Sequence, residues 1–137
     1  MEQQIGNFSI FKGVGTEYLQ SLSKTACDFK YEPGEIIIKE GDKHSQDVYI
    51  IYSGNADVYI GAKKVSSLSD GDIVGELAFL TGNRRYATVK ATTPVCLIKI
   101  DKEGFLKILH ETESGREIEK LVMERLAEDA SKHYKIQ

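Results

Sequence analysis

Gly71-Asp72-Ile73-Val74-Gly75-Glu76-Leu77-Ala78-Phe79-Leu80-Thr81-Gly82-Asn83-Arg84-Arg85-Tyr86-Ala87-Thr88-Val89 is the stretch that decides the reading of this chain. Gly75 lets the backbone turn tightly and approach a ligand closely. Glu76 to Leu80 suits a short helix, and Gly82 or Asn83 suits its left-handed exit. A helix N-terminus offers unpaired backbone N–H groups and a partial positive charge, which together attract anions such as phosphate. Arg85 follows on the return towards a strand, and a guanidinium matches two phosphate oxygens as a fork. Glu76 repels a phosphate but is a good acceptor for paired hydroxyls such as those of a ribose. A sugar acceptor and a phosphate-binding arginine around one helix N-terminus describe a nucleotide pocket. On the residues alone, a surface helix with Glu76 and Arg85 solvated or salt-bridged fits the spacing equally well.

Outward from this stretch, residues 35 to about 100 carry short β-rich runs at Ile36–Ile38, Val48–Tyr52, Ala56–Ile60, Val65–Leu68, Ala87–Ala91 and Cys96–Ile100. Turn signals separate them: Glu40-Gly41-Asp42, Ser53-Gly54-Asn55, Gly61-Ala62, Asp70-Gly71-Asp72 and Thr93-Pro94. Closely spaced short strands with glycine punctuation predict a β-sandwich, jelly roll or barrel, not βαβ units. One segment, Gly75–Asn83, interrupts them as a short helix.

Residues 1–32 read as an N-terminal helical segment, with Phe8, Ile10 and Phe11 before Gly13, then Tyr18, Leu19 and Leu22 at helical spacing. Thr16 is the expected N-cap, Glu17 lies in the first turn, and Pro33-Gly34 closes the segment. Residues 101–137 return to helix. Phe105, Leu106, Ile108 and Leu109 form an apolar stripe, Glu113-Ser114-Gly115 a break, and Ile118, Leu121, Val122, Leu126 and Ala130 an amphipathic face. That face packs first against the barrel and second offers a dimer seam.

Composition sets the outer limits. At 137 residues, with 41% hydrophobic and 28% charged, the chain suits one domain over 1–137. Eighteen Lys+Arg against 21 Asp+Glu give a net charge of −3, so no global field draws in nucleic acid or an anionic membrane. Lys63-Lys64 reads as a solvated hairpin turn, and with Arg84-Arg85 it is too short for a nucleic-acid stripe. No apolar run approaches the ~20 residues of a membrane span, and Met1-Glu2-Gln3-Gln4 is wrong for a secretory signal. Cys27 and Cys96 stand far apart, fit no metal or redox spacing, and read as reduced and structural, which places the chain in the cytoplasm. His44, His110 and His133 are scattered and predict no metal site, and no serine or cysteine sits in a nucleophile motif. Thr88 reads as a strand residue. The expectation is a non-enzyme without cofactor.

The central stretch resembles the phosphate-binding cassette of the cyclic nucleotide-binding domain family. Gly75-Glu76-Leu77-Ala78 and Arg85-Tyr86-Ala87-Thr88-Val89 match its pattern of Gly-Glu-Leu-Ala, several variable residues, then Arg-x-Ala-Thr/Ser-Val without gaps. Pro33-Gly34-Glu35 with Lys39-Glu40-Gly41-Asp42 is similar to the family's first strands, Tyr49-Ile50-Ile51-Tyr52-Ser53-Gly54 to its next hairpin, and Phe11-Lys12-Gly13-Val14 with Leu19 and Leu22 to its N-terminal helical motif. The resemblance implies a mainly β fold with flanking helices: an eight-stranded jelly-roll β-barrel (double-stranded β-helix), N-terminal helices, C-terminal hinge helices, and a cassette over 75–89 within a β-roll at 33–100.

It further implies a ligand site made of Gly75, Glu76, Leu77, Ala78, Arg85, Tyr86 and Ala87. Glu76 accepts from the ribose 2′-hydroxyl, Arg85 pairs with the exocyclic phosphate, and the backbone N–H groups of Ala78 and Tyr86 complete the cradle beside Gly75. Ala87 must stay small, Ile73, Val74 and Val89 pack nearby, and Tyr134 caps the base by stacking. Two positions depart from the pattern. Tyr86 stands where a small residue is usual and leaves cAMP and cGMP both open, with cAMP favoured. Arg84 stands where proline is common and places a second cation near the anion, although Arg85 has the family spacing. The implied function is a sensor whose ligand shifts the C-terminal helices against a twin subunit or an effector protein. Two other readings stand beside it: a degenerate member serving as an interaction scaffold, and the effector part of a catabolite-activator type transcription regulator without its DNA-binding helices, for which the chain to Gln137 has no room.

Overall fold

The computed structural model describes residues 5–82, 84–113, 115–120 and 123–124. A 3-10 turn at Ser9–Phe11 and helix α1 (Thr16–Thr25) lead into eight strands: β1 (Phe29–Tyr31), β2 (Ile36–Ile38), β3 (Val48–Ser53), β4 (Ala56–Ile60), β5 (Lys63–Leu68), β6 (Ile73–Val74), β7 (Thr88–Ala91) and β8 (Val95–Ile100). Helix α2 (Glu76–Thr81) lies between β6 and β7, and α3 (Lys102–Glu111) follows β8. The strands form two four-stranded antiparallel sheets, in the orders β1-β8-β3-β6 and β2-β7-β4-β5. Sequential strands alternate between the sheets except at the β4–β5 hairpin, which is the jelly-roll arrangement expected from the sequence.

The side-chain period explains how the layers stack. Along β3 and β8, Val48, Ile50, Ile98 and Ile100 point to one face and join Ile10, Phe11, Leu22, Phe105, Ile108 and Leu109 in a core shared with the helices. Ile51, Val95 and Leu97 point the other way and meet Ile38, Ala56, Val89 and Ala91 of the second sheet. The first sheet is therefore buried on both faces, which is why β3 and β8 read as nearly continuous apolar runs. The second sheet ends at β5, an exposed edge strand that carries Lys63 and Lys64.

Several expectations are corrected. Gly15, not Thr16, is the N-cap of α1; Thr16 is the first helical residue, and no side chain caps it. The first strand, Phe29–Tyr31, lies inside the segment expected to be helical, paired to β8 through Phe29↔Leu97 and Tyr31↔Val95. Three residues carry too little alternation to declare a strand; the pairing with β8 makes it one. The two-residue β6 is likewise created by its partner, Tyr49↔Val74 and Ile50↔Ile73. Lys63 and Lys64 belong to β5, opposite Ile60 and Tyr59, and are not a turn. Ala87 precedes β7 rather than opening it. Asn83, Ser114, Leu121, Val122, Leu126, Ala130, His133 and Tyr134 lie outside the described residues, so the expected base cap and dimer seam are not part of this structure.

Candidate functional site

Helix α2 starts where Gly75 adopts φ 89 and ψ 8, the left-handed region, and ends where Gly82 adopts φ 68. The Gly75 requirement has a second source. A Cβ built there would lie 2.6 Å from Arg85 Nη1 and 2.7 Å from the Asp47 carbonyl oxygen. The glycine thus lets the chain turn and lets the arginine come up against the turn.

Arg85 is 4% exposed, unusual for a guanidinium. Its backbone is fastened to the loop between β2 and β3: its N–H donates to the Asp42 carbonyl at 2.9 Å, and its carbonyl accepts from Gly41 N–H at 2.9 Å. Its side chain donates from Nη1 to the Gly75 carbonyl at 3.1 Å, and from Nη2 to the Asp47 carbonyl at 2.9 Å and to Ser45 Oγ at 3.3 Å. Those three acceptors carry no net charge. Burial lowers the pKa of the guanidinium, and the nearby Tyr49, Asp47, Asp42 and Glu76 act in the opposite direction. A cation has been taken out of water and held by neutral oxygens, which leaves it able to gain from an incoming anion.

The space it borders is a cavity of about 640 Å³. Gly75, Glu76, Leu77, Ala78, Arg85, Tyr86 and Ala87, all named from the sequence, line this one cavity. So do Ile73, Val74 and Val89. Its other wall comes from the second sheet: Ile38, Val58, Ile60, Val65, Ser66 and Leu68. Ile60 and Val65 are 42% and 43% exposed, so the apolar wall is open to a flat ligand. Arg84 is exposed, whereas Arg85, the one of the two favoured from its spacing, is buried. Tyr86 and Glu76 are half-buried at the cavity.

Sequence reasoning missed the second-sheet wall and the partners of Arg85. Ser45 and Asp47 sit some forty residues before the arginine, and the wall residues are ordinary strand residues with no motif around them. Thr88 is a strand residue as read, its Oγ1 accepting from Glu40 N–H at 3.0 Å. His44 and His110 are exposed, and no group of His, Cys, Asp or Glu that could hold a metal occurs among the described residues. Cys27 and Cys96, remote in sequence, are brought near each other, the Cys27 N–H donating to the carbonyl of Leu97, the neighbour of Cys96, at 3.2 Å.

A jelly-roll in which a buried arginine, a glycine-started turn and an apolar wall line one cavity offers a site for a small anionic ligand with a flat apolar part. The chain belongs to the cyclic nucleotide-binding domain family, whose model matches residues 28–112. It is similar to the cAMP-dependent protein kinase regulatory subunit of Colletotrichum orbiculare, with 44% identity over 82 residues, 58% of this chain and 21% of that one. It is also similar to the type II regulatory subunit of cAMP-dependent protein kinase from Drosophila melanogaster, with 32% identity over 107 residues, 78% of this chain and 28% of that one. The chain thus spans well under half the length of these curated relatives, which are regulatory and not catalytic subunits.

Among solved structures, cAMP-bound PfPKA-R superposes with a TM-score of 0.73 at 29% identity, over 92% of this chain and 46% of that one. A complex of Sp-2Cl-cAMPS with PKAR CBD2 gives 0.70 at 28% identity, over 92% and 88%. The regulatory subunit of a cAMP-independent protein kinase A from Trypanosoma brucei gives 0.67 at 28% identity, over 94% and 44%.

Proposed function

We propose that this chain is a regulatory module that binds cAMP in the cavity beneath α2. The observation that carries this reading is the Arg85 guanidinium, buried at the cavity and held by neutral oxygens in a position to face a phosphate. In the bound state Arg85 pairs with the exocyclic phosphate oxygens, a charged acceptor stronger than the carbonyls that hold the fork now. Backbone N–H groups at Ala78 and Tyr86 and the turn at Gly75 close around the same phosphate. Leu77 packs beside them, and Ala87 stays small to leave room. Glu76 accepts from the ribose 2′-hydroxyl. The purine lies along the apolar wall of Val58, Ile60 and Val65, and Tyr134 is the candidate cap. The module is non-catalytic and cytoplasmic, forms one domain over 1–137, binds no nucleic acid, and passes its signal through its C-terminal helices to an effector protein or a second copy.

Binding acts by population shift. The Gly75 and Asp47 carbonyls that now hold the guanidinium connect the cassette to the start of β3, so phosphate capture by Arg85 is felt at both ends of α2.

A second reading is a scaffold that retains the fold without cAMP. Tyr86 at the cavity and the likeness to the cAMP-independent trypanosomal subunit favour it. Calorimetric titration with cAMP and then cGMP separates the two. A Kd of micromolar or tighter for cAMP, about −8 kcal/mol or better, is expected, and a preference for cGMP would correct the base assignment. Arg85→Ala is expected to lose about 2–5 kcal/mol of that affinity, the cost of truncating a buried charge-assisted pair. No heat with either nucleotide would overturn the cAMP reading in favour of the scaffold.

A further inference from the structure

Outside the cavity, the molecule carries a second pair of chemically active groups that the nucleotide reading does not use. Cys27 follows α1 immediately after its C-cap, Ala26, and Cys96 lies in β8. Their separation in sequence is large, but the antiparallel register of β1 on β8 pairs Lys30 with Cys96 and Phe29 with Leu97. Cys27 N–H donates to the Leu97 carbonyl at 3.2 Å, extending that contact back to the cysteine itself. The two thiols are thereby neighbours, close enough for Cys96 to act on the titration of Cys27. Both are free and half-buried, so a small oxidant can reach them while bulk solvent does not separate them.

The backbone adds to the arrangement. Among the described residues, Cys27 is the one non-glycine residue with a positive φ, +67. That conformation is unfavourable for a residue with a Cβ, and here it turns the chain out of α1 beside the β1–β8 ladder that holds Cys96.

We propose that Cys27 and Cys96 are a reversible redox site that closes an intramolecular disulfide between the exit of α1 and β8. The oxidant is a low-molecular-weight disulfide such as oxidised glutathione. One cysteine loses its proton and attacks a sulfur of that disulfide, giving a mixed disulfide and releasing one thiol. The second cysteine loses its proton and attacks the protein sulfur of the mixed disulfide, forming the Cys27–Cys96 bond and releasing the second thiol. Two protein thiols are oxidised, one external disulfide is reduced to two thiols, and the protons balance. The bridge fastens the segment leaving α1 to a central strand of the first sheet, on the face opposite the nucleotide cavity's second-sheet wall. In a reducing compartment such a bond is transient, which suits a sensor more than a structural staple.

Burial, and after it the neighbouring Cys96, pushes the Cys27 thiol up to about 11, with Lys30 acting to lower it and Asp28 to raise it. Thiolate is therefore scarce at neutral pH and the exchange is slow, so the end state is the readout. The full chain is incubated with excess oxidised glutathione to completion, quenched with iodoacetamide, and analysed by intact mass and by a non-reducing peptide map. The expected result is loss of two hydrogens with no adduct, one peptide pair joined through Cys27 and Cys96, and full return to two alkylated cysteines after reduction. Cys27→Ser and Cys96→Ser should each stop at a single stable glutathione adduct. Two glutathione adducts on the wild-type chain, two alkylated cysteines without a bridge, or disulfide-linked dimers would each overturn the proposal.

Discussion

Replacing Gly75 by alanine tests how the cassette is assembled. Gly75 sits at φ 89, where an L side chain costs about 1–2 kcal/mol. The added Cβ would also lie 2.6 Å from Arg85 Nη1 and 2.7 Å from the Asp47 carbonyl oxygen. The carbonyl belongs to the backbone just before β3 and cannot retreat without moving that strand. The guanidinium yields instead and loses its bond to the Gly75 carbonyl, worth about 1.5–3 kcal/mol for a charged donor. The two costs together predict a loss of about 2.5–5 kcal/mol in stability. Gly82→Ala is the internal control, because Gly82 also has a positive φ, +68, but an added Cβ there meets nothing within 4 Å. It should pay only the conformational cost, about 1–2 kcal/mol. Urea unfolding of the wild type and both variants measures the difference directly. If Gly75→Ala is no more destabilising than Gly82→Ala, Arg85 and Asp47 do not confine Gly75 and the steric argument fails.

Three further outcomes are expected. Arg85→Lys keeps the charge but cannot span the Gly75 and Asp47 carbonyls and Ser45 Oγ at once, so cAMP affinity should fall by about 1.5–3 kcal/mol, roughly tenfold to 150-fold, by calorimetry; equal affinity would deny the fork its role. The Tyr18 hydroxyl is buried, has no hydrogen-bond partner among the described residues, and sits where a Cβ on Gly104 would collide with it; Tyr18→Phe should therefore raise the unfolding free energy by about 1 kcal/mol or more, and a loss would mean that the hydroxyl is satisfied. Burial, and after it Asp47, pushes the Tyr49 phenol from 10.0 up to about 12. Its neutral form is favoured by folding, so the contribution is present below pH 10 and lost as pH rises from 10 towards 12. The wild type should lose stability through that range more steeply than Tyr49→Phe, as followed by unfolding at stepped pH; parallel curves would refute the assignment.

Tertiary contacts, not local propensity, account for the elements missing from a sequence reading. Phe29–Tyr31 and Ile73–Val74 are too short to show a period, and each becomes a strand because β8 or β3 offers it a ladder. The longer strands were legible, because β3 and β8 carry apolar residues on both faces and turn signals, Ser53-Gly54-Asn55 after β3 and Thr93-Pro94 before β8, mark their ends. In the site, the contiguous residues from Gly75 to Ala87 were nameable because the signals are local: a turn that suits glycine, a short helix, and an arginine at the spacing of the family motif. Ser45, Asp47, Ile60 and Val65 were not, since nothing in their own neighbourhoods marks them.

The amino-acid sequence by itself determined the strand-rich class and the helix inserted before β7, which depend on local periodicity and on named glycines, while the candidate site residues rested on a family resemblance carried by contiguous motifs. Only the tertiary structure decided which arginine is the buried one, what holds it, and which wall faces it. It also decided that Cys27 lies beside the strand that carries Cys96. These are properties of strand order and register, and the loops that bring β3, β5 and β8 beside residues tens of positions away leave no trace in the spacing of any single segment.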